Sequence, residues 1–374
     1  MLRYLTSGES HGKCLVATLE GMPAGLRVDE SEIDRELARR QVGFGRGGRM
    51  QIEKDRVEIL SGVKDGLLMG SPMALLIQNK DFKINELPKV TKPRPGHADL
   101  TGALKYAHTD IRNVLERASA RETAARVAVG ALCKIFLKEF GIDFVSHVLR
   151  IGDVEAKIDG LSFKEIQKNA EESLVRCADQ TASKRMVEEI TKAKEAKDTL
   201  GGVYEVMVVG VPVGLGSYVH YDRKLDARLG RAILSIQAMK AVEIGDGVSG
   251  SRKRGSDVHD AIYHDAKKGF YRGSNRSGGI EGGMTSGEPI ILRAYMKPIS
   301  TLLNPLPSVD LLTKKPVEAT IERSDVCTVP AAGVIGEAVV AYEIADAFRE
   351  KFGGDSLMEI KRNYEGYLKQ VKEF

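Results

Sequence analysis

Two histidines sit where an imidazole could exchange protons with a ligand. His11 lies in the run GESHG beside Ser10 and close to Glu9, and His97 lies in RPGHAD behind Pro95 and Gly96. Both read as loop positions among polar neighbours, and an imidazole with an ordinary pKa of about 6.5 changes charge near neutral pH. A merely solvated loop histidine is the alternative for each. His108, His147, His220, His259 and His264 lack such surroundings. Arginines offer a second chemistry. Arg39, Arg40, Arg46 and Arg49 lie on or beside GFGRGG at 43–48, where guanidinium forks next to exposed backbone N–H groups would make either a polyanion site or a solvated basic turn. The run satisfies G-x-G-x-x-G but follows a helical pattern and precedes a strand, the reverse of what a dinucleotide fingerprint needs.

The stretch RASARETAARVAVG at 117–130 is the third candidate. Ser119 and Glu122 spell an S-x-x-E capping box, so a helix should open there with its free N–H groups pointing where Arg117 and Arg121 also reach. That arrangement is an anion pocket or else an ordinary capped helix.

This stretch also belongs to an internal repeat. Gly12, Gly21, Pro23, Gly25 and Leu26 recur, all at one constant offset, as Gly201, Gly210, Pro212, Gly214 and Leu215. Gly62, Gly66, Gly70, Pro72, Leu75 and Lys80 recur at a second, larger offset as Gly279, Gly283, Gly287, Pro289, Leu292 and Lys297. Glu116, Arg117, Ala125 and Gly130 recur at an intermediate offset as Glu322, Arg323, Ala331 and Gly336. Three blocks in the same order point to two divergent halves, about 1–150 and 200–352, of a single duplicated domain spanning 1–374. In the second half Asp325 replaces Ser119, Cys327 replaces Arg121 and Leu200 stands opposite His11. One half would thus supply cations and the other a carboxylate.

The elements that must hold these residues follow from periodicity. Strands are expected near 13–20, 50–61, 72–79, 142–152, 202–211 and 288–296, and helices at 31–41, 119–139, 164–176 with 181–197, 226–240 and 330–351. The last opens with Pro330 and closes at Gly353 and Gly354. The order lacks regular strand–helix alternation, so an α+β fold with largely antiparallel sheets is expected. Residues 153–198 read as a helical insertion, 355–374 as a surface helix or partner-docking element, and the Gly-, Ser-, Lys- and Arg-rich segment 245–283 as a long mobile loop or lid.

Composition sets the outer limits. The 374 residues carry 56 Lys+Arg against 52 Asp+Glu, with 42% hydrophobic and 29% charged residues, which sets aside disordered and collagen-like classes. No apolar run of about 18 residues suggests a membrane span, and MLRYLTSGESHG has no secretory h-region. Cys14, Cys133, Cys177 and Cys327 form no C-x-x-C pair, so neither a disulfide framework nor a structural metal is expected and a reducing cytoplasm is the default. A nucleic-acid binder is disfavoured by the absence of Trp and a net charge of only +4. A phosphotransferase is disfavoured by the lack of a G-x-x-x-x-G-K-[ST] loop. Glycine, at 39 residues, exceeds the usual share of about 7% and suggests backbone approaching a ligand in several loops.

GESHG with EGMPAGL, the GRGGRM loop, RPGHAD, LERASARETAARVAVGA, GVPVGLGS, AVEIGDG, EGGM, MKPIST and ERSDVC together resemble, in order and across the whole chain, the motifs of the chorismate synthases. The length resembles the monofunctional type. The resemblance implies a β-α-β layered sandwich with central helices between largely antiparallel sheets, assembled as a homotetramer. It implies conversion of 5-enolpyruvylshikimate 3-phosphate to chorismate by 1,4-anti elimination of phosphate and a C6 proton, with reduced FMN and no net redox change. Reduced flavin, with the NADP tied to its supply, would come from an external reductase or reductant. Around substrate and cofactor anions the resemblance sets Arg40, Arg46, Arg49, Arg94, Arg121 and Arg323. It assigns His11 to the leaving phosphate, His97 to the reduced flavin near N1, and Asp325 to assisting flavin N5 in removing the C6 proton. FMN contacts fall on Arg117, Ala118, Ser119, Gln237, Ala238, Gly282, Arg323 and the run Lys297, Pro298, Ile299, Ser300 and Thr301. Ala118 and Gln237 depart from commoner spellings, which bears on side-chain contacts only.

Overall fold

The structure, a computed structural model, describes residues 1–47, 53–267, 269–322 and 325–374. Arg49 and Arg323 therefore lie outside the described residues. In chain order the first half contains β1 (Arg3–Ser7), β2 (Cys14–Glu20), α1 (Glu30–Gln41), β3 (Val57–Ser61), β4 (Met73–Gln78), α2 (Asp99–Tyr106), α3 (Arg112–Ala118) and α4 (Thr123–Lys138). There follow β5 (Asp143–Ile151), β6 (Val154–Glu155), α5 (Phe163–Glu172), α6 (Gln180–Glu195), β7 (Gly202–Val209), α7 (Leu225–Leu234), β8 (Met239–Ile244), β9 (Ile290–Met296), α8 (Val329–Phe352) and α9 (Leu357–Glu373).

Alternation makes the strands two-faced. Leu15, Ala17 and Leu19 of β2 are buried opposite Ile77, Leu75 and Met73 of β4, so one face of this antiparallel pair is continuous core. Ile290, Leu292, Ala294 and Met296 do the same for β9. Helices α4 and α8 are buried on nearly every side, as a helix packed against helix and sheet must be. They pack on each other, α4 also against β2 and β4, and α8 against β5 and β7. Their approach depends on Gly130, where an added Cβ would lie 2.4 Å from that of Ala338.

Sheet one runs β1-β2-β4-β3 and sheet two β8-β9-β7-β5-β6. Read from its other end, sheet two repeats the order of sheet one as β5-β7-β9-β8, with β6 added at the edge. The pairing register repeats as well. Leu15 faces Ile77 across β2 and β4. The offset that carries Gly12 to Gly201 carries Leu15 to Tyr204, and the one that carries Gly62 to Gly279 carries Ile77 to Ala294. Tyr204 and Ala294 face each other across β7 and β9. In the same way, the offset that carries Glu116 to Glu322 carries Thr123, the first residue of α4, to Val329, the first residue of α8.

Several expectations need correction. The helix expected over 226–240 stops at Leu234, and Met239–Ile244 is strand β8, because pairing with β9 overrides a local amphipathic pattern. The chain over 112–122 is helix α3 and a single 3₁₀ turn at Ala120–Glu122 before α4 begins at Thr123. The capping box is not closed: Ser119 Oγ accepts from Arg121 N at 3.3 Å, while Glu122 is drawn instead to Arg126 at 2.8 Å and to Gln237 Nε2 at 3.0 Å. Strand β1, which pairs along its full length with β2, is an addition to the expected set. The segment 245–283 is not structureless. It holds two one-turn helices, the hairpin Ile262–Asp265/Gly269–Arg272 and the strand Ile280–Glu281, which pairs with Met284–Thr285 just beyond it. Asp260 ties it together by accepting from Ser274 Oγ and from the N–H groups of Arg276 and Ser277. Those bonds outweigh burial and hold its carboxyl at about 2.

Residues 153–198 carry the helices α5 and α6. Ser162 and Glu165 form a complete capping box on α5, and Asp179 caps α6. Helix α9 is the expected surface helix, anchored by buried Ile360. No helix among the described residues is long and apolar enough to cross a membrane.

Candidate active site

The openings of α4 and α8 converge on one cavity of about 690 Å³, closed further by the loops after β1, β4 and β9 and by the turn before β8. This volume lies within the range of roughly 300–1,000 Å³ usual for small-molecule sites. Its wall carries Arg40, Arg46, Lys83, Arg94, Arg121 and Lys297, against the carboxylates Glu322 and Asp325. Ile236, Ala238, Met296, Ile299 and Ile335 form apolar surface in the same wall.

His11 is delivered by the tight turn between β1 and β2. Gly8, at φ +101°, makes that turn possible, since a Cβ there would lie 2.3 Å from the carbonyl of Cys14. The ring is held by Glu116 of α3, whose Oε1 is 2.9 Å from Nδ1, and Nε2 lies 3.8 Å from Asp81 Oδ2. Burial raises the Glu116 carboxyl, but the bonds from the His11 ring and backbone, with Arg112 nearby, win and hold it below its ordinary value. His97 is held by a parallel device: Nδ1 is 2.5 Å from Asp99 Oδ1, and Arg94 donates to both Asp99 oxygens. Burial of Asp99 is overcome by the His97 and Arg94 bonds, which hold the carboxyl well below the carboxylate range.

The guanidiniums are fixed from behind. Asp55 accepts from Arg121 Nη1 at 2.6 and 2.7 Å and from Arg40 Nη1 at 3.3 Å, so one carboxylate serves two buried cations. Arg121 Nη2 has no hydrogen-bond partner among the described residues, although Glu53 lies 3.8 Å away. Burial, reinforced by Arg121 and Arg46 and opposed by Asp55, pushes Arg40 down to about 10. Asp325 accepts from the Gly47 N–H at 2.5 Å and pairs with Arg46 at 3.2 Å. Ala238 adopts φ +66°, uncommon for a residue with a side chain. Its carbonyl accepts from Lys297 N, which ties the start of β8 to the end of β9.

Of the residues singled out from sequence, His11, His97, Asp325, Ala118, Ser119, Gln237, Ala238, Lys297, Ile299, Ser300, Thr301, Arg40, Arg46, Arg94 and Arg121 line this cavity. Pro298 does not, and Gly282 lies in the turn of a hairpin outside its wall. Arg117 turns away and donates to the carbonyls of Thr6 and Gly8. Arg39 does not join the basic loop. A helix rotates by about 100° per residue, so while Arg40 faces the cavity, Arg39 faces Glu337, Glu36 and Glu171. Ser10, Lys83, Asp99, Asp55 and Asn79 are residues of the site or its support that sequence reasoning missed. The repeat could have pointed to Lys83, because the offset that pairs Lys80 with Lys297 pairs Lys83 with the cavity residue Ser300.

The family profile described as chorismate synthase matches residues 2–348. The chain belongs to the chorismate synthase family. It is 55% identical to the chorismate synthase of Desulforudis audaxviator (strain MP104C), over all of this chain and 98% of that one. It is 57% identical to that of Symbiobacterium thermophilum, over 99% of each chain. A solved crystal structure of a chorismate synthase superposes with a TM-score of 0.84 at 44% identity, covering all of this chain and 99% of the other. Family membership makes this chain an enzyme of the lyase class that forms chorismate in the shikimate pathway.

The Asp99 cluster has a pH signature. Its folded pKa is depressed, so its contribution to stability is present above the unfolded value near 3.9 and is lost as pH falls through the lower folded value. Asp99→Asn should therefore flatten the fall of stability between about pH 4 and pH 2. Urea midpoints across that range check this, and an unchanged acid limb would contradict it.

Proposed function

We propose that the chain converts 5-enolpyruvylshikimate 3-phosphate to chorismate and phosphate by 1,4-anti elimination, with reduced FMN and no net redox change. The observation that carries this is the joining of two carboxylate-held histidines to one strongly cationic, partly apolar cavity. The substrate's two carboxylates and phosphate and the flavin's phosphate need several cations, and a flat ring system needs apolar wall. The cavity residues fit such a pair. Arg121 Nη2 is a buried donor without a hydrogen bond among the described residues, with Glu53 3.8 Å away, and the cations of the cavity wall outnumber its carboxylates Glu322 and Asp325.

Reduced FMN, when bound, supplies the electron donation that helps phosphate leave. The chain's own residues do the rest. Arg40, Arg46, Arg94 and Arg121 bind and orient the anions, an attraction worth roughly 4 kcal/mol per close pair at an effective dielectric near 20. His11 holds a proton for the departing phosphate. His97, fixed by Asp99, holds one beside the flavin site. Asp325, positioned by Gly47 and Arg46, assists removal of the C6 proton.

The remaining readings go with this one. The two sheets and their helices form a layered β-α-β sandwich descended from a duplication, supported by the repeated strand order and register. Segment 245–283 acts as a lid, four chains assemble into a tetramer in the cytoplasm, and an external NADP-linked reductase or other reductant supplies the flavin.

The test is anaerobic turnover with 5-enolpyruvylshikimate 3-phosphate and reduced FMN. Chorismate and phosphate should appear in equal amounts while the flavin ends reduced. Flavin oxidised in proportion to product would overturn the mechanism. Asp325→Asn keeps its contact with Gly47 through the amide oxygen and should lower turnover by about 10²-fold or more. Full activity in that variant would remove Asp325 from the chemistry.

A further inference from the structure

We infer that Glu116 is the positioning residue for His11, fixing its ring so that Nδ1 bears the hydrogen facing Glu116 and Nε2 is the nitrogen that gives up the proton. The inference rests on the reading of His11 as the acid for the departing phosphate. It begins from one carboxylate making two kinds of bond to one residue. Glu116 Oε2 accepts from the backbone N–H of His11 at 2.7 Å, and ring Nδ1 lies 2.9 Å from Oε1 and 3.1 Å from Oε2. Glu116 is buried, at 3% exposure. The rest of the turn is fixed independently: Ser10 N donates to the Glu116 carbonyl, and the His11 carbonyl accepts from Lys83 and Ile84 N–H groups.

An ionised carboxylate only accepts, so Nδ1 must carry a hydrogen. With Nδ1 engaged, Nε2 remains for exchange, and its charged neighbour Asp81 is at 3.8 Å, beyond hydrogen-bond length. Asp81 is itself paired with Lys83 at 2.6 Å, and Arg112 lies 3.6 Å from Glu116. When the Nε2–H bond breaks and an O–H bond forms on the phosphate, the imidazole left behind is the Nδ1–H tautomer. That is the form Glu116 already accepts from, so the ring need not reorganise during the step.

Glu116→Gln separates this role from simple support. The backbone N–H of His11 can only donate, so the glutamine oxygen takes the Oε2 place and its NH2 group faces Nδ1. The turn keeps its bond, and although the oxygen at the Oε2 place is 3.1 Å from Nδ1, the NH2 group at the closer 2.9 Å place would meet an Nδ1–H head-on, so Nδ1 accepts from it and the hydrogen of the neutral ring moves to Nε2. Nitrogen NMR of histidine-labelled protein, assigned with His11→Ala, should show the Nδ1–H form in the parent and the Nε2–H form in Glu116→Gln. Turnover should fall by about 10²- to 10⁴-fold, mainly in kcat, as expected when a catalytic imidazole is held in the wrong tautomer. In a His11→Ala background the same substitution should change turnover by less than roughly twofold, because residues acting as one unit are not additive.

An unchanged tautomer in Glu116→Gln, or an inverted one with turnover within about twofold of the parent, would overturn the inference even if His11→Ala is severely impaired. Equal losses from Glu116→Gln with and without His11 would overturn it too, by making Glu116 a structural residue. Parent-like turnover in His11→Ala would instead sink the reading of His11 on which the inference rests.

Discussion

His11→Ala is expected to lower turnover by about 10²- to 10⁴-fold with little change in folding stability. The loss corresponds to roughly 2.7–5.4 kcal/mol of transition-state stabilisation. Phosphate leaving as a highly charged anion needs a proton or an equivalent cation, and the ring of His11 reaches the cavity from a wall where Glu116 holds it. The protein should survive the deletion because Glu116 keeps other partners: it still accepts from the backbone N–H of residue 11, and Arg112 lies 3.6 Å away. No buried charge is left alone. Phosphate release under saturating substrate, alongside a urea midpoint, measures the two effects separately. A variant that unfolds, or one that turns over normally, contradicts the assignment.

The polar residues proposed to do chemistry were legible because they sit in loops with unusual composition. GESHG and RPGHAD announced His11 and His97, and the repeated blocks announced that Asp325 stands where the first half has Ser119. The carboxylates behind them were not legible. Glu116 is 105 positions from His11 and Asp55 is 66 from Arg121, and no local pattern ties such partners together. Local rules failed for the same reason at Ser119. Its S-x-x-E spelling is a valid cap signal, but Gln237, 115 positions from Glu122, engages that carboxylate. Core strands with clean alternation, such as β4 and β9, were readable nearly to the residue. Strand β8 was hidden because a helix-like run continues from α7 into it, and only β9 decides otherwise. The internal repeat is the exception to the local limit. It relates distant segments without any contact having to be guessed, and the shared register of the β2–β4 and β7–β9 pairs follows the spacings found in the sequence alone.

The second large effect concerns stability and lies beside the cavity. Glu337 of α8 is fully buried and accepts from Arg39 of α1, Lys134 of α4, and both the N–H and hydroxyl of Ser146 on β5, with Arg176 at 3.5 Å. These groups together hold its carboxyl well below the ordinary value despite burial. Glu337→Leu leaves three cations without their shared anion, and removing one member of a buried ionic cluster typically costs about 3–5 kcal/mol. Removing one cation as well, with Lys134→Met added, restores the balance, because Arg39 and Arg176 keep Glu36 and Glu171, and should recover much of that loss, since the penalty is mostly the stranded charge. The pH dependence has a defined sign. A depressed carboxyl stabilises above its unfolded value near 4.3 and loses that contribution as pH falls through the folded one, so Glu337→Leu should be less sensitive to acid than the parent. Arg39 adjoins Arg40, which lines the cavity, so freeing α1 from α8 should misplace Arg40 and raise KM more than it lowers kcat. Urea midpoints at fixed protomer concentration and steady-state kinetics test both halves. A stability loss under about 1 kcal/mol would show that the three cations find other partners or water when the carboxylate is gone. α1 would then be held by its apolar face, Ile33 and Leu37, rather than by the ionic cluster.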